Sequence, residues 1–260
     1  MCTPSLEERA RVSDEMYARN PERFGVLNSA LSGWWTQFVP HTSRLLELGC
    51  GTGRDIQFYL KLGFSVTGVD YSPTAVAKAK SRVRTIGKAE IVELEVTRFL
   101  EQTEPESYDA VCANLVYGGF TLKELKAVFA LVHRALKPFG VHAYCVRSIR
   151  DSHCLAGEKL GRYTRLYKHE AGGFLETYFT PKLCGGLSRG LFETIKIEED
   201  LRNFTIRVVE RKSVKVFDVD HEKPISLTPF RRDFVRRRDF VRLTPFDSSP
   251  FLLNLLWPER

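Results

Sequence analysis

The stretch Arg44–Asp55, RLLELGCGTGRD, constrains the fold more than any other part of the chain. An apolar run, LLEL, breaks into three glycines at alternate positions, Gly49, Gly51 and Gly53, and then into charge. Glycine adds no side-chain packing and loses more backbone freedom on folding than any other residue. Three of them directly after a buried strand mark a place where the backbone turns sharply and comes close to something. The helical pattern DIQFYLKL begins at once and ends at Gly63. Strand, glycine turn and helix follow each other with no spacer.

The same alternation continues. FSVTGVD reads as a second strand, and Ser72-Pro73 caps a helix through AVAKAKSRVRTI, with proline in its first turn and Gly87 past its end. AEIVELEV reads as a third strand and YDAVCANL as a fourth. Thr121-x-x-Glu124 is a capping box opening a helix with Leu122, Leu125, Phe129, Val132 and Leu136 at helical spacing. KPFG ends that helix and VHAYCVRS reads as a fifth strand. Short strands that are apolar at most positions are buried on both faces, as in a parallel sheet covered by helices. The expected fold is therefore α/β, a Rossmann-like doubly wound sheet. Upstream, the capping box Ser5-x-x-Glu8 predicts a helix to about Arg19, and LNSALSGWWTQFV a second one from near Asn28. Its tandem Trp34-Trp35 reads equally as a cover over the site or as packing against the sheet edge.

Beyond Ser148 the pattern changes. RDSHCLAGEKLGRYTRLYKHEAGG is polar and glycine-bearing and has no clear periodicity. FLETYFTP, LFETIKIEEDLRNF and TIRVVERKSVKVFDV read as strands, so the fold ends in β structure. From 218 to 260 a basic and apolar extension holds RRDFVR twice in tandem, flanked by LTPF. The division expected is helices over 5–40, a core over 43–217 and this extension. Residues 227–246 are basic enough to touch nucleic acid, but a tail without a chemical role is the preferred reading.

With 260 residues, 43% hydrophobic and 27% charged, the chain has the composition of a globular protein with a sizeable core. No apolar run approaches the length of a membrane span, and the first residues have no secretory pattern. Six scattered cysteines, never as CxxC, read as free thiols in a reducing compartment, and the expected location is cytoplasmic. No zinc spacing, GxSxG or GxxxxGK[ST] is present. The net charge of +7 favours an anionic partner only mildly.

The glycine spacing is GxGxG, since position 54 is Arg54. That is tighter than the GxGxxG that seats a pyrophosphate, and suits a ligand lacking one. Asp70 ends the second strand about twenty residues after the first glycine, where an acidic side chain is placed to accept from both ribose hydroxyls.

These residues resemble a known family, the class I S-adenosylmethionine-dependent methyltransferases. LLELGCGTGRD looks like their first motif, GVDYS like the second and YDAVCANL like the fourth-strand motif. KPFG–VHAYCVRS is similar to the loop and strand after their fifth helix, where KPGG is common and this chain has Phe139. The segment YARNPERFG and the overall spacing look most like the small-molecule subgroup with tellurite- and thiopurine-type enzymes. The resemblance implies a seven-stranded, mostly parallel sheet with an antiparallel C-terminal strand, and S-adenosylmethionine as cofactor. It implies that Glu47, Gly49, Cys50, Gly51 and Gly53 surround the methionine part. Asp70 would hold the ribose, Tyr71 pack near the adenine, and Asn114 lie near the sulfonium. Glu95, with Glu93 as the alternative, would accept from the adenine amino group.

The activity implied is methyl transfer by in-line displacement to a small-molecule acceptor. A general base is required only where the acceptor carries a proton. The candidate catalytic residues are Tyr117, His153 and Arg147, the last of which could bind an anionic substrate or pair with a local carboxylate, with Asp151 and His169 near them on the loops after the fourth and fifth strands. The alternatives are an RNA or protein methyltransferase using the arginine repeat, and a non-catalytic binding protein of the same fold. NPPY or DPPY, which marks amino-nitrogen methylation of bases or glutamine in the family, is absent; ANLV stands there.

Overall fold

The computed structural model describes residues 3–87, 89–217 and 224–226. The tandem RRDFVR repeat, and all of the expected extension except 224–226, lie outside the described residues. The elements run α1 (Leu6–Arg19), α2 (Ala30–Trp35), β1 (Arg44–Leu48), α3 (Arg54–Leu62), β2 (Ser65–Asp70), α4 (Pro73–Val83), β3 (Ala89–Glu93), α5 (Val96–Gln102), β4 (Tyr108–Asn114), α6 (Leu122–Ala135) and β5 (Leu136–Arg147). There follow β6 (Glu158–Lys159), β7 (Thr164–His169), β8 (Gly172–Thr177), α7 (Pro181–Ser188), β9 (Phe192–Asp200), β10 (Thr205–Lys212), β11 (Lys215–Phe217) and β12 (Pro224–Ser226).

Seven strands form one sheet in the order β3-β2-β1-β4-β5-β10-β9. β1 to β5 pair in parallel, while β10 is antiparallel to both β5 and β9. The sheet is the expected one, mostly parallel with an antiparallel C-terminal strand. The order reverses at β1, whose carboxyl end carries the glycine turn. That is the switch point at which open α/β sheets bind ligands.

Residue period explains the two layers. Side chains of a strand alternate between faces. Leu46, Leu48, Val111, Ala113, Tyr144 and Val146 pack in one core with α5, α6 and α7. Leu45, Ala110, Cys112, Val141, Ala143 and Cys145 pack in the other with α2, α3 and α4. Both capping boxes form, Ser5 with Glu8 and Thr121 with Glu124. Pro73 opens α4 behind its Ser72 cap.

Three elements go beyond the sequence reading. α5 begins on Glu95, whose carboxylate caps it. The polar segment after Ser148 is a three-stranded antiparallel meander of β6, β7 and β8. α7 begins at Thr180-Pro181, the same cap-and-proline device as at Ser72-Pro73. KPFG lies inside β5 as its irregular first turn, with Phe139 in the left-handed region at φ 62°.

Candidate active site

A cleft of about 480 Å³ opens at the carboxyl ends of β1, β2 and β4. Its floor is the turn after β1. Gly49 and Gly51 have φ of 62° and 53°, the left-handed region that glycine enters without steric cost. A side chain would also be excluded by space: a Cβ at Gly49 would collide with Val116, and one at Gly51 would lie 2.7 Å from the Tyr17 hydroxyl. Gly53, at φ 76°, is the N-cap of α3.

Asp70 ties this turn to the next unit. Its Oδ2 accepts from the Gly51 N–H at 2.8 Å and its Oδ1 from the Ser72 N–H at 2.9 Å. The Tyr71 N–H adds a third backbone donor, and a carboxylate offers about four acceptor positions. Burial raises the Asp70 pKa, opposed by those amides. Glu47 on β1 is buried, and its Oε2 has no hydrogen-bond partner among the described residues. Burial, and then the nearby charge of Asp55, push its carboxyl well above the usual range. A buried carboxylate left this way is costly until a cation or donor reaches it.

Of the expected cofactor residues, Glu47, Gly49, Cys50, Gly51, Asp70, Tyr71, Glu95 and Asn114 line the cleft. Glu93 is exposed at the end of β3 and does not. Glu95 is already engaged, accepting from the Arg98 N–H at 3.0 Å and from the Thr97 hydroxyl at 3.1 Å.

The far wall comes from β5, the loop after it, and the meander. Arg147 and His153 face the cleft there. Arg147 Nη1 bonds Asp151 Oδ2 at 3.1 Å, and His153 Nδ1 lies 2.9 Å from Asp151 Oδ1. Tyr117 does not belong with them. It is fully buried in the core, its hydroxyl 2.7 Å from His142 Nε2. His142 Nδ1 in turn lies 2.7 Å from Glu210 Oε1, and Ser188 donates to the same carboxylate. Tyr117 therefore has no access to a bound molecule, because its hydroxyl is enclosed by a polar chain linking β5, α7 and β10. His169 sits in the β7–β8 turn, accepting from the Ala171 N–H at 3.2 Å. Trp35 is core, donating to the Tyr59 hydroxyl at 3.1 Å, and Trp34 bonds Glu198 at the sheet edge. Neither covers the cleft.

The cover is α1. Arg9, Val12, Ser13, Met16 and Tyr17 line the cleft from above. Arg9 holds the helix down, donating to the Gly119 carbonyl at 2.9 Å and to Glu124 Oε1 at 2.8 Å. Asp14 Oδ1 accepts from the Ser72 hydroxyl at 2.6 Å and the Thr74 N–H at 2.9 Å. The helix was legible from its capping box, but its role was not. The meander residues Phe174, Glu176 and Tyr178 that face it were not singled out either. Alternating TRLYKH and GFLET around a glycine turn is the signal that finds them.

The methyltransferase-domain family matches residues 45–140. The chain is 31% identical over 120 residues to the S-adenosyl-L-methionine-dependent Diels-Alderase iccD of Talaromyces variabilis, covering 44% of this chain and 39% of that protein. It is 32% identical over 124 residues to the putative methyltransferase YqeM of Bacillus subtilis (strain 168), covering 44% and 48%. The match thus spans less than half the length of either relative. Burkholderia thailandensis 1,6-didemethyltoxoflavin-N1-methyltransferase, solved with 1,6-didemethyltoxoflavin and S-adenosylhomocysteine, shares the fold with a TM-score of 0.60. The two are 18% identical, over 82% of this chain and 92% of that one.

Residues 45–140 are thus similar to methyltransferase domains, on a fold shared with solved S-adenosylmethionine-dependent enzymes. The floor of the cleft fits S-adenosylmethionine. The unpartnered Glu47 oxygen suits an ammonium group, the glycine turn leaves room for close approach, and Asp70 retains acceptor capacity for hydroxyls. Among the described residues no helix is long and apolar enough to cross a membrane.

Proposed function

We propose that this protein transfers the methyl group of S-adenosylmethionine to a small-molecule acceptor. The observation that carries the reading is the roofed cleft. α1 lies over the floor, pinned by Arg9 and Asp14, and the meander closes the far side. A cavity of about 480 Å³ has the size of a small-molecule site. When bound, the cofactor supplies an electrophilic methyl on a sulfonium, so the protein's task is mainly alignment, which is worth on the order of 7–11 kcal/mol of a barrier. Glu47, Asp70 and Tyr71 would hold the cofactor and Asn114 would border its reacting end. Glu95, as an N-cap with remaining lone pairs, would face the adenine side. Phe120 and Phe174 give the acceptor an apolar wall, and α1 excludes water.

The test is incubation of the full chain with methyl-labelled S-adenosylmethionine and separate pools of metabolites, RNA and protein. Label is expected in the metabolite pool alone. Label in RNA or protein would overturn the small-molecule reading and favour an arginine-repeat role for 227–246.

The name of the fungal relative favours one second reading, a cofactor-dependent cycloaddition in the same cleft. It predicts a changed metabolite with no S-adenosylhomocysteine formed, which the same incubation distinguishes.

A further inference from the structure

We propose that Glu176 is the proton acceptor for the methyl acceptor, and that the acceptor is a small, largely apolar molecule presenting a neutral O–H or N–H. This rests on the methyltransferase reading and adds a residue and a substrate class to it.

Glu176 lies on β8 and faces the cleft. Its carboxylate is seated by a glycine on a different element. A Cβ at Gly118, in the turn after β4, would lie 2.9 Å from Glu176 Cδ and closer still to Oε1. Gly118 does not have a positive φ, so its backbone does not demand glycine. Space for the carboxylate is what the missing side chain provides. That same turn follows Asn114, which borders the cofactor end of the cleft. Two elements far apart in sequence thus meet to hold one carboxylate at the edge of the reaction space.

The surroundings suit a base. Arg147 Nε is 3.8 Å from Oε1, an ion pair beyond hydrogen-bond length. Arg147 directs its close bond to Asp151 instead. Asp151 and Tyr178 approach from the same wall. From α1 across the cleft, Arg9 is committed to Gly119 and Glu124, and Glu8 to its own cap. Arg165, opposite Glu176 in the β7–β8 ladder, donates to the carbonyls of Cys154 and Gly161. Burial lifts Glu176 to about 7, against the pull of Arg147. A base is most effective with a pKa near the working pH.

The step balances simply. The acceptor oxygen or nitrogen forms its bond to the methyl carbon, the carbon–sulfur pair stays on sulfur as a neutral thioether, and the acceptor's proton passes to Glu176, leaving a neutral carboxylic acid. An anionic acceptor such as a thiolate needs no such group and would meet repulsion from it.

The experiment measures phenol binding to the full chain saturated with S-adenosylhomocysteine, from about pH 6 to about pH 8.5, where a phenolic hydroxyl remains protonated. Toluene is the control that cannot donate. Phenol binding is expected to tighten several-fold as Glu176 ionises through about 7, and toluene binding to stay flat. Glu176→Gln should remove the response while S-adenosylhomocysteine binds within about twofold of wild type. His153→Gln, which removes the imidazole lining this wall, should retain it. Flat or absent phenol binding, or a response that follows His153, overturns the proposal. Failure of the wild type to bind S-adenosylhomocysteine overturns the methyltransferase reading as well, which separates the two.

Discussion

At the scale of single residues the site is a set of local exceptions with physical causes. Gly49 is excluded from bearing a side chain by both φ and space. Gly49→Ala should lose about 1–3 kcal/mol of stability and most affinity for S-adenosylhomocysteine. Gly33 in α2 has open space around it and an ordinary φ, so Gly33→Ala should stabilise by about 0.4–1 kcal/mol. Thermal unfolding of the two variants checks the contrast, and equal effects would deny any special role to the turn. Glu47 gives a pH prediction. Its folded pKa is raised, so its contribution to stability is complete below the ordinary carboxylate value and falls away as pH rises toward the folded value. Glu47→Gln should therefore unfold at a higher temperature than wild type at pH 8, with the difference shrinking toward pH 4. The variant should also bind the cofactor more weakly, having lost the charge that meets an ammonium. The glycine turn, Asp70 and Glu47 were all legible, because a local sequence signal fixes each. The partners of Tyr117 were not. Its burial depends on His142 and Glu210, 25 and 68 residues further along this chain of contacts, which no short spacing announces.

At the scale of elements, legibility followed regularity. The βα units were readable from apolar runs and caps, since each element carries its own start and stop signals. α7 was hidden by Gly185 and Gly186 inside it, and β6 and β7 by their polar composition on a half-exposed surface. Element contacts also yield predictions. α1 is fastened over the cleft by Arg9, whose loss removes one donor each from the Gly119 carbonyl and Glu124 Oε1. Arg9→Ala should weaken S-adenosylhomocysteine binding and speed amide exchange across Leu6–Arg19 while leaving the β-sheet protected. Unchanged exchange in that helix would show that Arg9 does not hold it. The Tyr117–His142–Glu210–Ser188 chain ties β5 to β10 and α7. His142→Leu strands a buried carboxylate and should cost about 3–5 kcal/mol, whereas pairing it with Glu210→Leu should recover a good part of that. Denaturant unfolding of the single and double variants measures the coupling, and simple additivity would contradict the account.

At the scale of the whole molecule, the cleft lies at the carboxyl ends of interior strands of one sheet. The reversal of strand order at β1 opens the cleft, the glycine turn and Asp70 form its floor, α1 covers it, and the meander inserted between β5 and α7 lines its far side. The floor belongs to the part matched to the methyltransferase-domain family, residues 45–140, while the cover and the acceptor wall lie outside it. In the proposed reading that division is why a cofactor was legible from sequence and an acceptor was not: one would meet motif residues, the other α1 and loops whose positions only the fold determines. The central claim is that this floor is a working S-adenosylmethionine site. Its most direct test is calorimetric titration of the full chain with S-adenosylhomocysteine beside an Asp70→Ala variant. Micromolar binding that drops by at least about tenfold in the variant is the predicted result, and a wild-type chain that takes up no S-adenosylhomocysteine would contradict it.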